Sequence, residues 1–247
     1  MPLQVTLKER FDNRSVIKVI SGINNFDPKS VGSIIQVADK GKATYIDIAA
    51  STELVHLALS LTNLPICVSS ISPKLLKKCV EAGAQMVELG NFDSFYTQGY
   101  AFSFHDIINI SVKVRNLLPE IPLCVTIPYI LPLEEQIKLA QILENVGVDI
   151  LQTEGLVTNL KSNKPNYSLI EKAIPTIAAT YALSKFVDLP ILCSSGISDV
   201  TIPLAIEAGA SGIGVCSCLK ESNSNVAMLA TLNKLVSSIS SCSYSLI

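Results

Sequence analysis

The chain has 247 residues, with 19 Lys and Arg against 21 Asp and Glu, which gives a formal net charge of −2. Hydrophobic residues make up 49% of the chain and charged residues 16%, compared with roughly 25% charged residues in ordinary globular proteins. This composition excludes a disordered chain, a coiled coil and a generic polyanion binder.

The longest uncharged run, from Leu54 to Pro73, is long enough to span a bilayer. It contains His56 and a turn at residues 62–65, however, so it is interpreted as helix, turn and strand, and we predict no membrane span. The seven cysteines have no disulfide or zinc-ribbon spacing, which indicates a reducing compartment. The first eight residues have no signal- or transit-peptide character. Either the protein acts where it is made or a leader precedes this sequence.

Short apolar runs recur along the chain with amphipathic segments between them. The predicted strands begin near Ile17, Ala43, Ile66, Met86, Leu123, Asp149, Ile191 and Gly212. Apolar stripes predict helices over Lys74–Glu81 and Leu133–Val146, the second carried by Leu133, Ile137, Ala140, Leu143 and Val146. Strands that are apolar on both faces are typical of parallel sheets covered by helices. Eight such units predict a single α/β domain over residues 1–247, a (β/α)8 TIM barrel. An open doubly wound sheet is the alternative.

An internal repeat supports closure of the sheet. Ser69-Ser70-Ile71-Ser72 followed by Glu81-Ala82-Gly83-Ala84 is echoed, half a chain later, by Ser194-Ser195-Gly196-Ile197-Ser198 followed by Glu207-Ala208-Gly209-Ala210. In each copy the glycine suits a left-handed helix end before the next strand. Two half-barrels would produce this pattern.

The helix-to-strand turns align the even-numbered strands. Counting four residues from each turn gives Asp47, Glu88, Gln152 and Gly214, which we expect in one interior layer, with Gly214 leaving a gap. Lys18 is the expected counter-charge. Two carboxylates beside one lysine would have different pKa values, as acid/base chemistry requires. The alternative is a satisfied polar plug that merely fills the barrel.

Long insertions follow the fourth and sixth strands, Gly90–Phe104 and Thr153–Tyr167, on the face where such barrels carry their sites. The first is rich in aromatic residues, so it is interpreted either as a lid or ligand platform or as a loop packed on the barrel mouth. Glu154 directly follows the sixth strand and, with Gln152, is a candidate substrate contact. Asn24 and Asn25, after the first strand, are interpreted as substrate contacts or as turn and cap residues.

The most specific chemical suggestion is a phosphate pocket. Ser195 and Gly196 end the seventh strand, and Gly214 and Ser217 belong to the eighth strand and its loop. Backbone N–H groups of these two loops commonly hold a phosphate in barrels of this type. Cys216 stands where a close-approach glycine is expected, which is a departure from that pattern.

Six segments together resemble one family. They are KVISGINNFD (18–27), YIDIA (45–49), MVELGNFDSFY (86–96), CVTIPY (124–129), LQTEG (151–155) and CSSGI (193–197). The chain resembles the hypothetical chloroplast reading frame twenty-three family, proteins of unknown function from algal plastids and cyanobacteria, over about residues 10–220. The resemblance implies a phosphate-binding type of barrel and, for a plastid-encoded chain, the chloroplast stroma. It implies no activity and no catalytic residue.

The leading hypothesis is an enzyme that acts on a small phosphorylated metabolite by isomerase- or lyase-type proton transfer. Glu88 and Asp47 are the acid/base candidates. Lys18 is an electrostatic stabiliser or, as the weaker alternative, a Schiff-base nucleophile. The competing hypothesis is a non-catalytic barrel that binds or senses a metabolite. We expect no cofactor, metal site or nucleic-acid partner, and the sequence leaves a homo-oligomer open.

Overall fold

The eight strands run parallel and close into a barrel in chain order. The structure, a computed structural model, describes residues 5–90, 92–96, 98–155, 165–220, 222 and 224–243. The strands are β1 Val16–Ile20, β2 Tyr45–Ala49, β3 Ile66–Ser69, β4 Met86–Leu89, β5 Leu123–Ile127, β6 Ile150–Thr153, β7 Ile191–Ser194 and β8 Gly212–Val215. The helices are α1 Val5–Asp12, α2 Pro28–Lys40, α3 Thr52–Leu61, α4 Pro73–Glu81, α5 Asp93–Tyr96, α6 Phe104–Leu117, α7 Leu133–Val146, α8 Pro165–Leu183, α9 Ile202–Glu207, α10 Ser217–Lys220 and α11 Asn225–Ser243.

Closure confirms the (β/α)8 barrel and rules out the open sheet. The first and last strands pair directly, with Lys18 opposite Gly214, so no strand edge is left free. The largest error in a predicted strand start is at β2, which was expected near Ala43 and begins at Tyr45. Residues 156–164 of the second insertion lie outside the described residues.

Helix α1 is absent from the sequence-based prediction. Its Leu7 and Phe11 are four residues apart and therefore on one helix face, and both are buried. They join a cluster of inward side chains at the lower end of the barrel, which comprises Val16, Tyr45, Cys67, Met86, Cys124, Ile150 and Leu192. Helix α1 therefore closes the N-terminal end of the barrel interior.

The predicted apolar stripe of α7 is wrong at its N-terminal end. The helix has the expected bounds, but its buried side chains are Gln136, Leu139, Ala140 and Leu143. Leu133, the first residue of the helix, is 46% exposed. The Gln136 amide donates to the carbonyl of Leu131 at 2.8 Å, which satisfies a polar group at this buried position.

The two copies of the internal repeat occupy equivalent places, β3-α4-β4 and β7-α9-β8. Gly83 and Gly209, which end α4 and α9, have φ of 115° and 101°. A side chain at Gly209 would also meet the Ser184 hydroxyl at 2.6 Å. Both positions therefore require glycine, as the repeat predicted.

The main core lies between the outward faces of the strands and the surrounding helices. It accounts for the high apolar content that first raised the question of a membrane span. None of the helices described is both long enough and apolar enough to cross a membrane. All seven cysteines are free thiols.

Candidate functional site

The side chain of Lys18 lies at the centre of the barrel, among three side chains from even-numbered strands. Its Nζ donates to Glu88 Oε2 in a close ion pair and to Gln152 Oε1 at 2.9 Å. Asp47 Oδ2 lies 3.5 Å from the same nitrogen. An ammonium has three N–H groups, and these three neighbours account for all of them. The structure thus brings together Lys18, Asp47, Glu88 and Gln152, as the strand alignment predicts.

Each carboxylate in this cluster also accepts a hydrogen bond from the neighbouring strand. The Thr126 hydroxyl donates to Glu88 Oε1 at 3.1 Å, and the Gln152 amide donates to the same oxygen at 2.9 Å. On the other side, the Ser69 hydroxyl donates to Asp47 Oδ1 at 2.6 Å. Ser69 and Thr126 were not predicted from the sequence, although both are inward positions at which a hydroxyl replaces the usual aliphatic residue.

Burial and charge act in opposite directions on the ionisable groups of the cluster. Burial raises the pKa of Asp47 to about 6; the Lys18 ammonium lowers it and the Glu88 carboxylate raises it. For Lys18, burial by itself would lower the pKa, but Asp47 and Glu88 hold it well above its usual value. Lys18 is therefore a cation at neutral pH. That charge opposes the Schiff-base role, which needs a free amine.

The cluster is closed to solvent in this conformation. Lys18 and Glu88 have no exposed surface, and Asp47 and Gln152 are 1% exposed. The backbone at Gly90 passes directly over Glu88: a Cβ there would lie 2.8 Å from Glu88 Oε1 and would collide with Thr126. The carboxylates lie within hydrogen-bonding or ion-pairing distance of the Lys18 ammonium, which the proposed chemistry requires. Access for a substrate requires movement of the chain that covers the carboxylate.

The aromatic insertion after β4 packs across the barrel mouth. Phe92 is buried, and its ring centroid lies 4.9 Å from that of Phe102. Tyr96 stacks edge-on against Tyr129 at 5.4 Å, and its hydroxyl donates to Glu154 Oε1 at 2.7 Å. Glu154 also accepts from the Tyr129 backbone N–H at 3.2 Å. Glu154 thus links this insertion to the C-terminal end of β6.

The two asparagines after β1 differ in their surroundings. The Asn25 amide donates to the Ser21 carbonyl at 3.2 Å and to the Ser30 hydroxyl at 3.1 Å, so it braces its own loop. Asn24 is exposed at the rim. Asp27, between this loop and α2, caps the helix by accepting from the N–H groups of Lys29 and Ser30.

The predicted phosphate residues lie at the C-terminal ends of two paired strands, β7 and β8. Ser195 and Gly196 are consecutive left-handed residues, with φ of 72° and 70°. Ser217 begins α10 and is exposed, and Cys216 before it is partly buried. The gap expected at Gly214 is wrong: a Cβ there would lie 2.8 Å from the Ser194 hydroxyl and 3.1 Å from Ile20. Its neighbours therefore fill that space.

Lys220 lies beside this region and was missed by the sequence analysis. Its Nζ lies against the β1 loop, where a Cβ added to Gly22 would be 2.7 Å from it. Gly22 itself has φ of 102°. The ammonium therefore bridges from α10, after β8, to the loop after β1. The available signal was a lysine three residues after the predicted Ser217.

Among the described residues, one group has side-chain atoms close enough together to share a metal ion: Asp47, Cys67 and Glu88. The Lys18 ammonium contacts both of these carboxylates and already supplies the positive charge. Burial also raises the pKa of the Cys67 thiol well above its usual value, which opposes the thiolate form that binds metals. The donor set therefore fits an ammonium better than a metal ion.

The sequence is similar to a family of undetermined activity. The family model described as "Protein of unknown function (DUF561)" matches residues 3–245. An uncharacterized protein ycf23 from Cyanophora paradoxa is 44% identical over 234 residues, which is 93% of this chain and 96% of that protein. The match therefore extends over nearly the whole of both chains.

Solved structures of low sequence identity share the fold. The (S)-3-O-geranylgeranylglyceryl phosphate synthase from Thermoplasma acidophilum, in complex with sn-glycerol-1-phosphate, has a TM-score of 0.64 at 13% identity, covering 96% of this chain and 99% of that one. A thiamine phosphate pyrophosphorylase from Pyrococcus furiosus has a TM-score of 0.60 at 17% identity, covering 93% and 98%. At these identities the likeness establishes the barrel fold.

Proposed function

Because this chain belongs to the DUF561 family, whose description names no reaction, we propose its function from its own site: a barrel enzyme that binds a small phosphorylated metabolite and transfers a proton by isomerase- or lyase-type chemistry. The observation that carries the proposal is the pair of carboxylates, Asp47 and Glu88, that share one buried ammonium at the barrel centre. Two carboxyl groups in unequal environments suit the roles of acid and base.

The charge balance of the cluster supports proton transfer. With Lys18 protonated, two ionised carboxylates leave one excess negative charge in a dry interior, so holding a proton there is favourable. Asp47, with its pKa raised to about 6, is poised to gain or lose that proton near neutral pH. In the proposed reaction one carboxylate takes a proton from carbon next to a carbonyl and a carboxyl group returns it to a neighbouring atom. Lys18 stabilises the negative charge on the carbonyl oxygen.

Phosphate binding is proposed at the rim. The consecutive left-handed residues Ser195 and Gly196 favour a concave backbone turn whose N–H groups can face an anion. Ser217 and Gly214 of β8 would form the second side of the phosphate site, and the Lys220 ammonium would add the positive charge. The barrels from Thermoplasma and Pyrococcus are named for phosphate compounds, which makes this ligand class the first to test.

The remaining candidates have supporting roles in this proposal. Gln152 orients Glu88 and Lys18 through hydrogen bonds to both. Glu154 holds the aromatic insertion through Tyr96, so breaking that hydrogen bond would free the insertion to lift. Asn24 is exposed at the rim and is proposed to contact substrate, whereas Asn25 keeps the loop in shape.

A second function is favoured by one observation, the complete burial of the cluster. A polar plug with every partner satisfied would stabilise the barrel without doing chemistry, and the rim would then serve a non-catalytic metabolite-binding or regulatory protein. We further propose the plastid stroma as the location, on the basis of the ycf23 relatives.

Ligand binding is tested first. Thermal-shift and calorimetric titrations would use inorganic phosphate and a panel of sugar phosphates. The wild type is compared with Lys220→Met and with Lys234→Met, which removes an exposed lysine from α11 and serves as the matched control. We expect binding that Lys220→Met weakens about tenfold, since a charge-assisted hydrogen bond contributes roughly 1.5 kcal/mol or more. A panel that gives no shift at all would refute phosphate binding.

The chemistry is tested separately in deuterated water. Each ligand that binds is incubated with the protein, and proton NMR follows exchange of hydrogens next to the carbonyl group. We expect exchange in the wild type and its loss in Glu88→Gln, with ligand binding retained. Binding without exchange or product formation in the wild type would instead establish the non-catalytic barrel.

A further inference from the structure

The outer helix α8 turns polar side chains toward the barrel and apolar side chains toward solvent. Its inward face carries Thr176 and Thr180, both buried, and their hydroxyls lie 2.7 and 2.9 Å from that of Thr153 on β6. Thr176 also lies 3.6 Å from the buried Cys193 thiol of β7. These contacts fix the rotation of the helix about its axis. The side chains on the opposite face must therefore point away from the barrel.

That opposite face is apolar. The outward residues at helical spacing are Ile170, Ile174, Ala178 and Tyr181, and all are exposed, as is Lys185 in the turn that follows the helix. Ile174 and Tyr181 are 54% and 56% exposed, and Phe186, just beyond the helix, is 53% exposed. No other described helix has three exposed large hydrophobic side chains. A surface helix normally turns such a stripe toward the core, so this one indicates a partner.

The pattern of residues on this stripe favours a second copy of the same chain. Ala178 is at its centre, where a small side chain lets two helices approach closely. Between Lys172 and Lys185 the sequence carries no charge, and the exposed charges Glu171 and Lys185 are at equal distances from Ala178. A two-fold axis at Ala178 would pair each Glu171 with Lys185 of the other copy.

The same axis also matches the apolar ends of the stripe. Ile170 and Phe186 are likewise equidistant in sequence from Ala178. Across an antiparallel helix pair, Ile170 of one copy would therefore face Phe186 of the other. The stripe from Ile170 to the end of the helix at Leu183 is about 20 Å long at 1.5 Å per residue. A self-complementary surface of this kind is what a two-fold dimer requires.

We propose that this protein forms a two-fold symmetric dimer through antiparallel packing of α8 against α8, centred on Ala178. The interface is remote from the Lys18 cluster chemistry and does not depend on the proposed function. Its apolar centre provides the association energy, and the two Glu171–Lys185 pairs at its ends select the antiparallel register over a parallel one.

The test measures the molar mass of the full chain by sedimentation velocity and light scattering over a range of concentrations. We expect a dimer in the wild type and a monomer in Ile174→Lys, with the melting temperature of the barrel retained because Ile174 is on the surface. Val112→Lys is the matched control: it replaces an exposed β-branched residue on α6, 38% exposed, and should leave the dimer intact.

Charge exchange tests the register. Glu171→Lys and Lys185→Glu should each weaken dimerisation severalfold, and the double exchange should restore it, because the pairs form between copies in reverse order. A wild type that remains monomeric at the highest concentration would overturn the proposal. So would a dimer that survives Ile174→Lys, or a double exchange that is no better than either single change.

Discussion

Replacement of Lys18 by methionine tests the central claim about the barrel interior, that one ammonium holds two buried carboxylates in place. Methionine keeps most of the side-chain volume, so the change removes the charge, two hydrogen bonds and the ion pair with Asp47 with little loss of packing. Asp47 and Glu88 would then face each other without a counter-charge. Removing one partner of a buried ion pair costs about 3–5 kcal/mol, so we expect a loss of that size in the free energy of unfolding at about pH 7.

The assay is urea unfolding followed by circular dichroism at about pH 7 and about pH 5. In Lys18→Met the lost counter-charge should raise the pKa of Asp47 further, so acidification should protonate that carboxylate and recover part of the stability. The double variant Lys18→Met/Glu88→Gln should also recover part of it at pH 7, because only one carboxylate remains. A loss below about 1 kcal/mol, typical of an exposed pair, with no recovery at low pH would refute the reasoning.

Three further predictions concern single residues. The pKa of Asp47 is raised to about 6 in the folded state, while the unfolded value is near 4. The protonated carboxyl therefore stabilises the folded state below about pH 4 by roughly 2–3 kcal/mol, and this contribution is lost as the pH rises to about 6. Asp47→Asn should therefore flatten the urea-measured stability profile over that range; an unchanged slope would contradict the shift. Gly90→Ala should lower the melting temperature, because its methyl group would press on the carboxylate beneath, whereas Gly32→Ala on α2 meets no atom closer than 3.5 Å and should not. Arg115→Met should lower the free energy of unfolding by about 2–3 kcal/mol, because the partly buried guanidinium donates to three backbone carbonyls and to a carboxylate. Lys77→Met, which removes one partner of an exposed ion pair, should be nearly neutral. Equal effects of the two changes would show that burial of the ion pair is irrelevant.

The strands and their register were predictable because they depend on local pattern. An apolar run covered on both faces can be recognised in the sequence, and the turn glycines mark where each strand begins. Counting from those turns placed Asp47, Glu88 and Gln152 on the inward side, because side chains alternate strictly along a strand. That these three side chains share one interior layer then followed from the barrel geometry. Lys18 was predicted as their counter-charge, because an outward lysine on the first strand would meet a helix.

Other features depended on contacts between distant segments. The hydroxyls of Ser69 and Thr126 become hydrogen-bond donors to the carboxylates only when neighbouring strands align. The absence of a gap at Gly214 reflects Ser194 and Ile20, side chains from the two flanking strands. Lys220 reaches the β1 loop across the closure of the barrel, a contact between opposite ends of the chain.

By itself, the sequence determined the eightfold alternation, the half-barrel repeat and the identity of the charged residues inside, because hydrophobic period and turn chemistry are local properties. Only the tertiary structure decided that these charges are sealed from solvent and that the aromatic insertion packs on the mouth. It alone also decided that α8 turns Thr176 and Thr180 inward and Ile170 and Ile174 outward. These outcomes depend on how volumes and hydrogen bonds are shared between segments far apart in sequence, which no single stretch of residues encodes.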